Sequence, residues 1–260
     1  MTTLIRYQAT HKPIVRKTEQ QLRQEIIQVC SMLWQKGFVA ATDGNVSARL
    51  DADRFLCTPS GFSKGLIEPD QLIVIDENVE PVGSRYGPAR DLRPTSEMLL
   101  HLEAYRQRPD VQAVVHSHPP TAIALSIAGI DLERCFIPDV VLSLGMIPTT
   151  EYATPASGEG ATVISELIQR YDALILRRHG SITVGTSVLE AYLRLEKLEQ
   201  TATIAKTLVD LGREDPFPPS EAQKLVDWRV NAGLMRPGQA EDLCQVCGVC
   251  HGVGQCAGTG

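Results

Sequence analysis

The chain has 260 residues, of which 43% are hydrophobic and 22% are charged, so it is long enough to bury a sizeable core. Its formal net charge of −6 comes from interspersed acids and bases, which gives no electrostatic reason to expect nucleic acid or an anionic membrane as a partner. The start lacks the apolar core of a signal peptide and no uncharged apolar run approaches about 18 residues, so we expect a cytoplasmic protein that binds small molecules or other subunits.

The first part of the chain predicts a long helix followed by short strands. Thr18 and Gln21 form a capping box, and apolar residues at helical spacing follow them. Short extended segments come next, broken by glycine-containing turns: ATDGNVSARL, FLCTPSGFS and LIVID. A helix over PTSEMLLHLEAYRQRP, opened by Pro94, Thr95 and Ser96, then leads into a buried strand over VQAVVHSH.

The second part alternates between the two kinds of element. A helix near 119–129 is followed by a proline-rich irregular stretch, a helix near 158–170 and a strand over DALILRR. A long amphipathic helix runs from about 187 to 211, and Ser220 and Gln223 cap a last helix. Because the elements alternate without a regular βαβ period, we expect one α/β domain with a mixed sheet between helical layers.

The stretch VVHSHP places His116 and His118 one residue apart at the end of an apolar run. Side chains at positions i and i+2 of a strand project from one face, so both imidazoles can reach one cation. His179 follows the next buried strand, and Glu97 offers a carboxylate from the first turn of the preceding helix. Such a set suits a divalent metal, Zn²⁺ first with Mn²⁺ or Co²⁺ as alternatives, although histidines at strand ends also occur as simple hydrogen-bonding groups. The remaining histidines have no such partners and are interpreted as structural: His11, His101 and His251.

Two glycine-containing loops, DGNVS at 43–47 and TPSG at 58–61, expose backbone N–H groups of the kind that bind phosphate oxygens. Both are also common turn sequences. Thr95 and Ser96 add hydroxyl groups at a predicted helix N-terminus, which favours an anion, although N-capping alone would explain them. Because Glu97 follows directly, the sequence predicts a metal site and an anion site close together.

Four motifs together resemble the class II aldolase/adducin family, and within it the fuculose-1-phosphate aldolases: GNVSAR, TPSG, PTSEMLLHLEAYRQRPDVQAVVHSHPP and LRRHG. The resemblance implies a three-layer α/β/α fold with a central, mainly antiparallel sheet. It also implies a homotetramer with active sites between subunits. Its implied Zn²⁺ ligands are His116, His118 and His179, with Glu97 as the acid/base that can also coordinate the metal. The residues implied to hold the substrate phosphate are Gly44, Asn45, Ser60, Gly61, Thr95 and Ser96.

The resemblance implies a lyase that cleaves a short ketose 1-phosphate, of the fuculose, rhamnulose or 5-deoxyribulose type, to dihydroxyacetone phosphate and an aldehyde. A metal-stabilised enediolate would form, and Glu97 would transfer the proton. The same fold also serves sugar-phosphate 4-epimerases, methylthioribulose-1-phosphate dehydratases and decarboxylases. Adducin-like members are binding modules that lack the metal histidines, so this alternative is disfavoured.

The sequence departs from the aldolase pattern at one point. Fuculose-1-phosphate aldolases use a tyrosine as proton donor in a stretch that corresponds to CFIPDVVLSLG, which contains no tyrosine. The proton donor on the aldehyde side is therefore unassigned, with Asp139 and Tyr152 as candidates.

The end of the chain differs in composition from the rest. We expect a catalytic domain over 1–237 and a Cys-rich tail over 238–260 that is flexible or binds metal, because the tail has few large apolar side chains. Its cysteines are candidates for a second Zn²⁺ site, with an iron–sulfur cluster as an open alternative: Cys244, Cys247, Cys250 and Cys256. The other cysteines are expected to be small buried residues in a reducing compartment: Cys30, Cys57 and Cys135.

Overall fold

The computed structural model of the chain describes residues 17–83, 90–133, 136–213, 215 and 217–247. Six strands form its sheet: β1 (Asn45–Arg49), β2 (Phe55–Cys57), β3 (Ile73–Ile75), β4 (Ala113–Ser117), β5 (Ala173–Leu176) and β6 (Gly180–Gly185). Their order is β3-β2-β1-β4-β6-β5, and each neighbouring pair is antiparallel. The mixed sheet expected from the alternation of elements is wrong, because the non-consecutive pairs β1–β4 and β4–β6 are antiparallel as well as the hairpins. The antiparallel sheet that the family resemblance implies is confirmed.

Helices cover both faces of this sheet. They are α1 (Glu19–Gln35), α2 (Met98–Gln107), α3 (Pro120–Ala128), α4 (Pro138–Ser143), α5 (Gly158–Ile164), α6 (Leu167–Arg170), α7 (Val188–Leu211), α8 (Pro219–Asn231) and α9 (Gln239–Cys247). Alternate residues of β4 face opposite layers: Ala113 and Val115 pack in the core with α1 and α7, whereas Val114 packs in the core with α2, α5 and α6. The three-layer α/β/α arrangement is therefore confirmed. Among the helices described, none has both the length and the apolar character needed to cross a lipid bilayer.

The predicted start of α1 is confirmed, whereas that of α2 is not. Thr18 Oγ1 accepts a hydrogen bond from the backbone N–H of Gln21 at 3.2 Å, which completes the capping box. In front of α2, Pro94 forms a β-bridge with Pro59, and the Thr95 N–H donates to the carbonyl of Thr58. These contacts hold the segment extended, so α2 begins at Met98 and Glu97 stands at its N-cap position.

Three other elements differ from expectation. Strand β6 was not predicted, because its sequence GSITVG begins and ends with glycine, yet every residue in it is buried. The helix expected near 158–170 is broken into α5 and α6 at Ser165 and Glu166. Helix α8 is capped by Pro218 rather than by Ser220, since Pro219 occupies its first position.

The segment 238–260 begins with a packed helix. Leu243 and Cys247 of α9 lie in the core that covers one face of the sheet, and Arg170 binds the carboxylate of Asp242 at 2.8 Å. Residues 239–247 therefore form part of the body, because Leu243 supplies the apolar side chain that this segment needs for burial. The division of the chain into a domain over 1–237 and a tail over 238–260 stays a prediction, and the residues beyond 247 lie outside those described.

The two edge strands of the sheet, β3 and β5, are short, and each forms one additional β-bridge. At one edge, Ile75 of β3 forms an antiparallel bridge with Pro81. At the other edge, Ile175 of β5 forms a parallel bridge with Thr149. Both bridges lie in loops that pass along the outermost strands.

Candidate metal centre

The four predicted metal ligands come together at one end of the sheet. Glu97, His116, His118 and His179 each offer one ligand atom, and these atoms all lie within 4.8 Å of one another. The centroids of the three imidazole rings are between 4.8 and 5.0 Å apart. The structure thus places side chains from α2, β4 and the β5–β6 hairpin around one point.

Strand β4 positions the two neighbouring histidines. His116 lies in β4 between β1 and β6, opposite Asn45 on one side and Ile182 on the other. His118 is the first residue after β4, and its N–H donates to the carbonyl of Phe38 at 2.8 Å. The Nε2 atoms of His116 and His118 are 3.1 Å apart, as the spacing on one strand face predicts.

His179 reaches the same point from the tight turn between β5 and β6. Its N–H donates to the carbonyl of Leu176 at 3.0 Å, and Arg178 before it has a left-handed backbone with φ of 61°. Gly180 follows in the motif LRRHG, and a Cβ atom there would lie 2.3 Å from the carbonyl oxygen of Ser117. This close approach requires glycine and brings the hairpin against the end of β4.

The Glu97 carboxylate lies between two of the imidazoles. Its Oε2 is 3.0 Å from His116 Nε2, and its Oε1 is 3.2 Å from His179 Nε2. Burial acts to raise the pKa of Glu97, but the hydrogen bonds from His116 and His179 outweigh burial and hold the pKa well below its usual range. Glu97 is therefore a carboxylate at neutral pH.

The other ring nitrogens of the histidines have oxygen partners. His116 Nδ1–H donates to the carbonyl oxygen of Ser181 at 2.9 Å, which leaves Nε2 to face the cluster. His118 Nδ1 lies 3.4 Å from the carboxylate of Asp43, a residue not singled out from the sequence. Burial, with repulsion from His116 and His179, lowers the pKa of His118 to about 4, so this imidazole is neutral. Three imidazoles at this spacing, with one carboxylate, are a donor set that fits a divalent metal such as Zn²⁺.

The segments predicted to bind phosphate lie beside this cluster. The Pro59–Pro94 bridge and a hydrogen bond from Ser60 N–H to the carbonyl of Arg93 join the TPSG loop to the segment before α2. Ser60, Gly61 and Ser96 are exposed there, whereas Thr95 is buried. Their phosphate contacts stay predictions.

The DGNVS loop is used in part by the protein itself. A Cβ atom on Gly44 would lie 3.0 Å from the carbonyl oxygen of His116, so this glycine allows β1 to approach β4 closely. The side-chain amide of Asn45 contacts Glu97 and His101, which differs from the phosphate contact that the resemblance implies. Lys64, which the sequence analysis missed, is buried beneath these loops and donates to the carbonyls of Thr42 and Phe62.

A partly open cavity lies beside Glu97 and His179. Apolar side chains form much of its wall, including Leu99, Leu100, Ala153, Pro155, Val163 and Leu176. Neither Asp139 nor Tyr152, the candidates for a second proton donor, is among the lining residues, and the Tyr152 side chain is 56% exposed. The lining of the cavity therefore supports neither Asp139 nor Tyr152 as the second proton donor.

Comparison with known proteins decides the family. Residues 24–205 match the profile of the class II aldolase and adducin N-terminal domain. The chain belongs to the class II aldolase and adducin family. A 3-oxo-tetronate 4-phosphate decarboxylase of Escherichia coli is 33% identical over 198 residues, which cover 75% of this chain and 90% of that enzyme. An L-fuculose phosphate aldolase of Methanococcus vannielii is 32% identical over 180 residues, which cover 69% of this chain and 93% of that enzyme.

Solved structures of the class II aldolase and adducin family share the fold. The crystal structure of YgbL from Escherichia coli superposes with a TM-score of 0.72 at 31% identity, over 80% of this chain and 99% of that chain. The L-fuculose-1-phosphate aldolase from Thermus thermophilus gives a TM-score of 0.64 at 29% identity, over 76% of this chain and 99% of that chain. Helices α8 and α9 lie beyond the matched family profile, which ends at residue 205.

The cysteines outside the metal cluster divide into two sets. Cys30 and Cys57 are free and buried, as predicted. Cys244 and Cys247 lie on α9 and are disulfide-bonded, so a metal site there would require their reduction and stays a prediction. Cys135, Cys250 and Cys256 lie outside the described residues.

Proposed function

We propose that the chain is a metal-dependent lyase that cleaves a short ketose 1-phosphate into dihydroxyacetone phosphate and an aldehyde. The observation that carries this proposal is the Glu97 carboxylate, which lies between His116 and His179 at the edge of a cavity with both apolar and polar walls. An acid/base group at that point can reach both the metal ligands and a molecule in the cavity. The homology to fuculose phosphate aldolases supports the same reaction.

A bound Zn²⁺ would polarise the substrate carbonyl and stabilise the charge that develops when the adjacent C–C bond breaks. His116, His118 and His179 would hold it, with Glu97 as a further ligand. In retro-aldol cleavage the C3–C4 bond breaks, the C4 hydroxyl loses its proton and becomes the aldehyde oxygen, and C3 takes up a proton. The Glu97 carboxylate would accept the proton that the C4 hydroxyl releases, directly or through water, and would then deliver it to C3, so that no net proton is consumed.

The cavity favours a substrate with an apolar end. Leu99, Ala153, Pro155 and Val163 offer contacts to a methyl or similarly apolar terminus of the aldehyde fragment. Burial of such a group would exclude water from the reacting carbons.

Decarboxylation of a phosphorylated 3-oxo sugar acid is the second candidate. Relatives that share 33% identity with this chain are 3-oxo-tetronate 4-phosphate decarboxylases. Release of CO₂ requires no proton transfer at a leaving aldehyde, and the stretch CFIPDVVLSLG lacks the tyrosine that serves this step in the resembled aldolases. The same Glu97 would protonate the remaining carbon.

One assay separates these candidates. The purified protein, loaded with Zn²⁺, is given a panel of ketose 1-phosphates and 3-oxo-tetronate 4-phosphate, and dihydroxyacetone phosphate and CO₂ are measured. We expect dihydroxyacetone phosphate from a deoxy ketose 1-phosphate, with loss of activity after chelation. Release of CO₂ alone would replace the aldolase assignment by the decarboxylase, and turnover of no substrate would overturn both.

We further propose that the protein acts in the cytoplasm as a homotetramer with active sites between subunits, as the family resemblance implies. Analytical ultracentrifugation tests the oligomeric state. A monomer would contradict it.

A further inference from the structure

A chain of buried polar side chains leads from Glu97 into the core beneath α2. Asn45 Nδ2 lies 3.0 Å from Glu97 Oε2, and Asn45 Oδ1 lies 2.5 Å from His101 Nε2. His101 Nδ1 lies 2.7 Å from Ser47 Oγ, which lies 2.8 Å from the hydroxyl of Tyr105. All four side chains beyond Glu97 are at most 4% exposed, so bulk water does not compete for these bonds.

The orientation of the Asn45 amide fixes the direction of each hydrogen bond along this chain. A carboxylate only accepts, so Asn45 must turn its NH₂ group towards Glu97 and its carbonyl towards His101. His101 Nε2 must then carry the hydrogen. Burial lowers the pKa of His101 to about 3, so its ring is neutral and its Nδ1 accepts from Ser47. Ser47 in turn accepts from the hydroxyl of Tyr105.

This arrangement makes the two oxygens of Glu97 unequal. Oε2 lies near the Asn45 amide and His116 Nε2, both at 3.0 Å. Oε1 lies 3.2 Å from His179 Nε2. Glu97 and His179 both line the cavity. The hydrogen bond from Asn45 is made to Oε2 alone, so it holds the carboxylate in one orientation.

We propose that Asn45, His101, Ser47 and Tyr105 are positioning residues that fix the orientation of the Glu97 carboxylate through this chain of buried hydrogen bonds. The inference rests on the proposed function, in which Glu97 transfers a proton to the substrate carbon. It gives His101 a role beyond that of a structural helix residue. The positioning residues do not contact the substrate carbon themselves.

The test combines kinetics with a spectroscopic measurement. Ser47→Ala and His101→Gln are expected to lower kcat about 10- to 100-fold while KM and the Zn²⁺ content stay near those of the wild type. Thr183→Val is the matched control, since it removes another fully buried hydroxyl, which donates to the carbonyl of Ala191, and it should leave kcat unchanged. If His101→Gln does not fold, Tyr105→Phe replaces it and should give a smaller decrease in kcat.

Nitrogen-15 NMR of histidine-labelled wild-type protein reports the tautomer of His101 without any substrate. We expect hydrogen on Nε2 and none on Nδ1. Hydrogen on Nδ1, or kcat values for both variants within threefold of the Thr183→Val control, would overturn the positioning role. If the wild type turned over none of the phosphorylated substrates in the panel, the proposed function would be overturned instead. The tautomer of His101 would then be the test of the hydrogen-bond chain from Glu97 to Tyr105.

Discussion

The Nδ1–H group of His116 donates to the backbone carbonyl of Ser181 across the paired strands β4 and β6, at 2.9 Å. This bond fixes both the tautomer and the tilt of the ring. Because the acceptor belongs to the backbone, the orientation of His116 depends on strand register rather than on the Ser181 side chain. The pairing of β4 with β6 consequently orients the candidate metal ligand His116.

His179→Ala should remove the metal. The substitution deletes one of three imidazoles and leaves Glu97 without its partner at Oε1. Metal content per chain, measured by plasma mass spectrometry after dialysis, should fall from near one Zn²⁺ to a small fraction. Ser181→Ala is the control, because the carbonyl that binds His116 remains, and it should retain the metal.

Gly180→Ala should disrupt the centre through backbone contact. The added Cβ would lie 2.3 Å from the carbonyl oxygen of Ser117 and 2.9 Å from His118 Cδ2, so the hairpin must move away from β4. We expect a loss of stability on the order of 2–4 kcal/mol together with weaker Zn²⁺ binding. Urea denaturation and a Zn²⁺ titration measure the two effects. Gly158→Ala, where nothing lies within 4 Å of the new Cβ, should change neither.

Glu97→Gln should separate chemistry from folding. The amide keeps the shape of the side chain but cannot carry the transferred proton, so kcat should fall about 10²- to 10⁴-fold. Circular dichroism and the melting temperature should stay close to those of the wild type. Glu221→Gln, at an exposed ion pair with Lys224, serves as the control. Activity of Glu97→Gln near the wild-type value would contradict the acid/base role.

His101 should make the metal-free protein less stable in acid. Burial lowers its folded pKa from 6.5 to about 3, so between these values the unfolded chain takes up a proton that the folded protein does not. The free energy of unfolding should fall as the pH falls through this range, by up to about 4 kcal/mol from this residue. Urea denaturation at pH 7 and pH 4 in the presence of a chelator gives the difference. His101→Gln should show a smaller difference between the two pH values, and an equal one would contradict the prediction.

Asp242→Ala should loosen the attachment of α9. Its carboxylate accepts from the Tyr171 hydroxyl and from Arg170. Removal leaves these partly buried donors without that acceptor and should lower stability by about 1–3 kcal/mol. Glu241→Ala, on an exposed position of the same helix, should change stability by less than about 0.5 kcal/mol. Equal denaturation midpoints for the two variants would show that these bonds do not secure α9.

The metal cluster was predictable because its signals are local and specific. A His-x-His pair at the end of an apolar run fixes two ligands by strand geometry, and the motif LRRHG supplied the third histidine. The partners Asp43 and Ser181 were not predictable in the same way. One contacts His118 through an exposed loop, and the other uses a backbone carbonyl that any residue would provide.

The contacts of His101, the buried histidine of α2, could not be predicted from the sequence. His101 has helical spacing and no nearby metal-binding motif, so its sequence context indicates only an amphipathic helix. Its partners Asn45 and Ser47 lie on β1, and only the packing of α2 over that strand brings them together. Strand β6 escaped prediction for a related reason, since its pairing with β4 outweighs the weak strand propensity of its glycines.

The bridges at Pro81 and Thr149 have a consequence for how copies of this chain associate. Both outer strands are only three or four residues long, and a loop already occupies part of each. Proline at one of these positions also removes a donor that a neighbouring molecule would need. Continuous sheets running from one copy into the next, and the fibrous aggregates that follow from them, are thereby disfavoured.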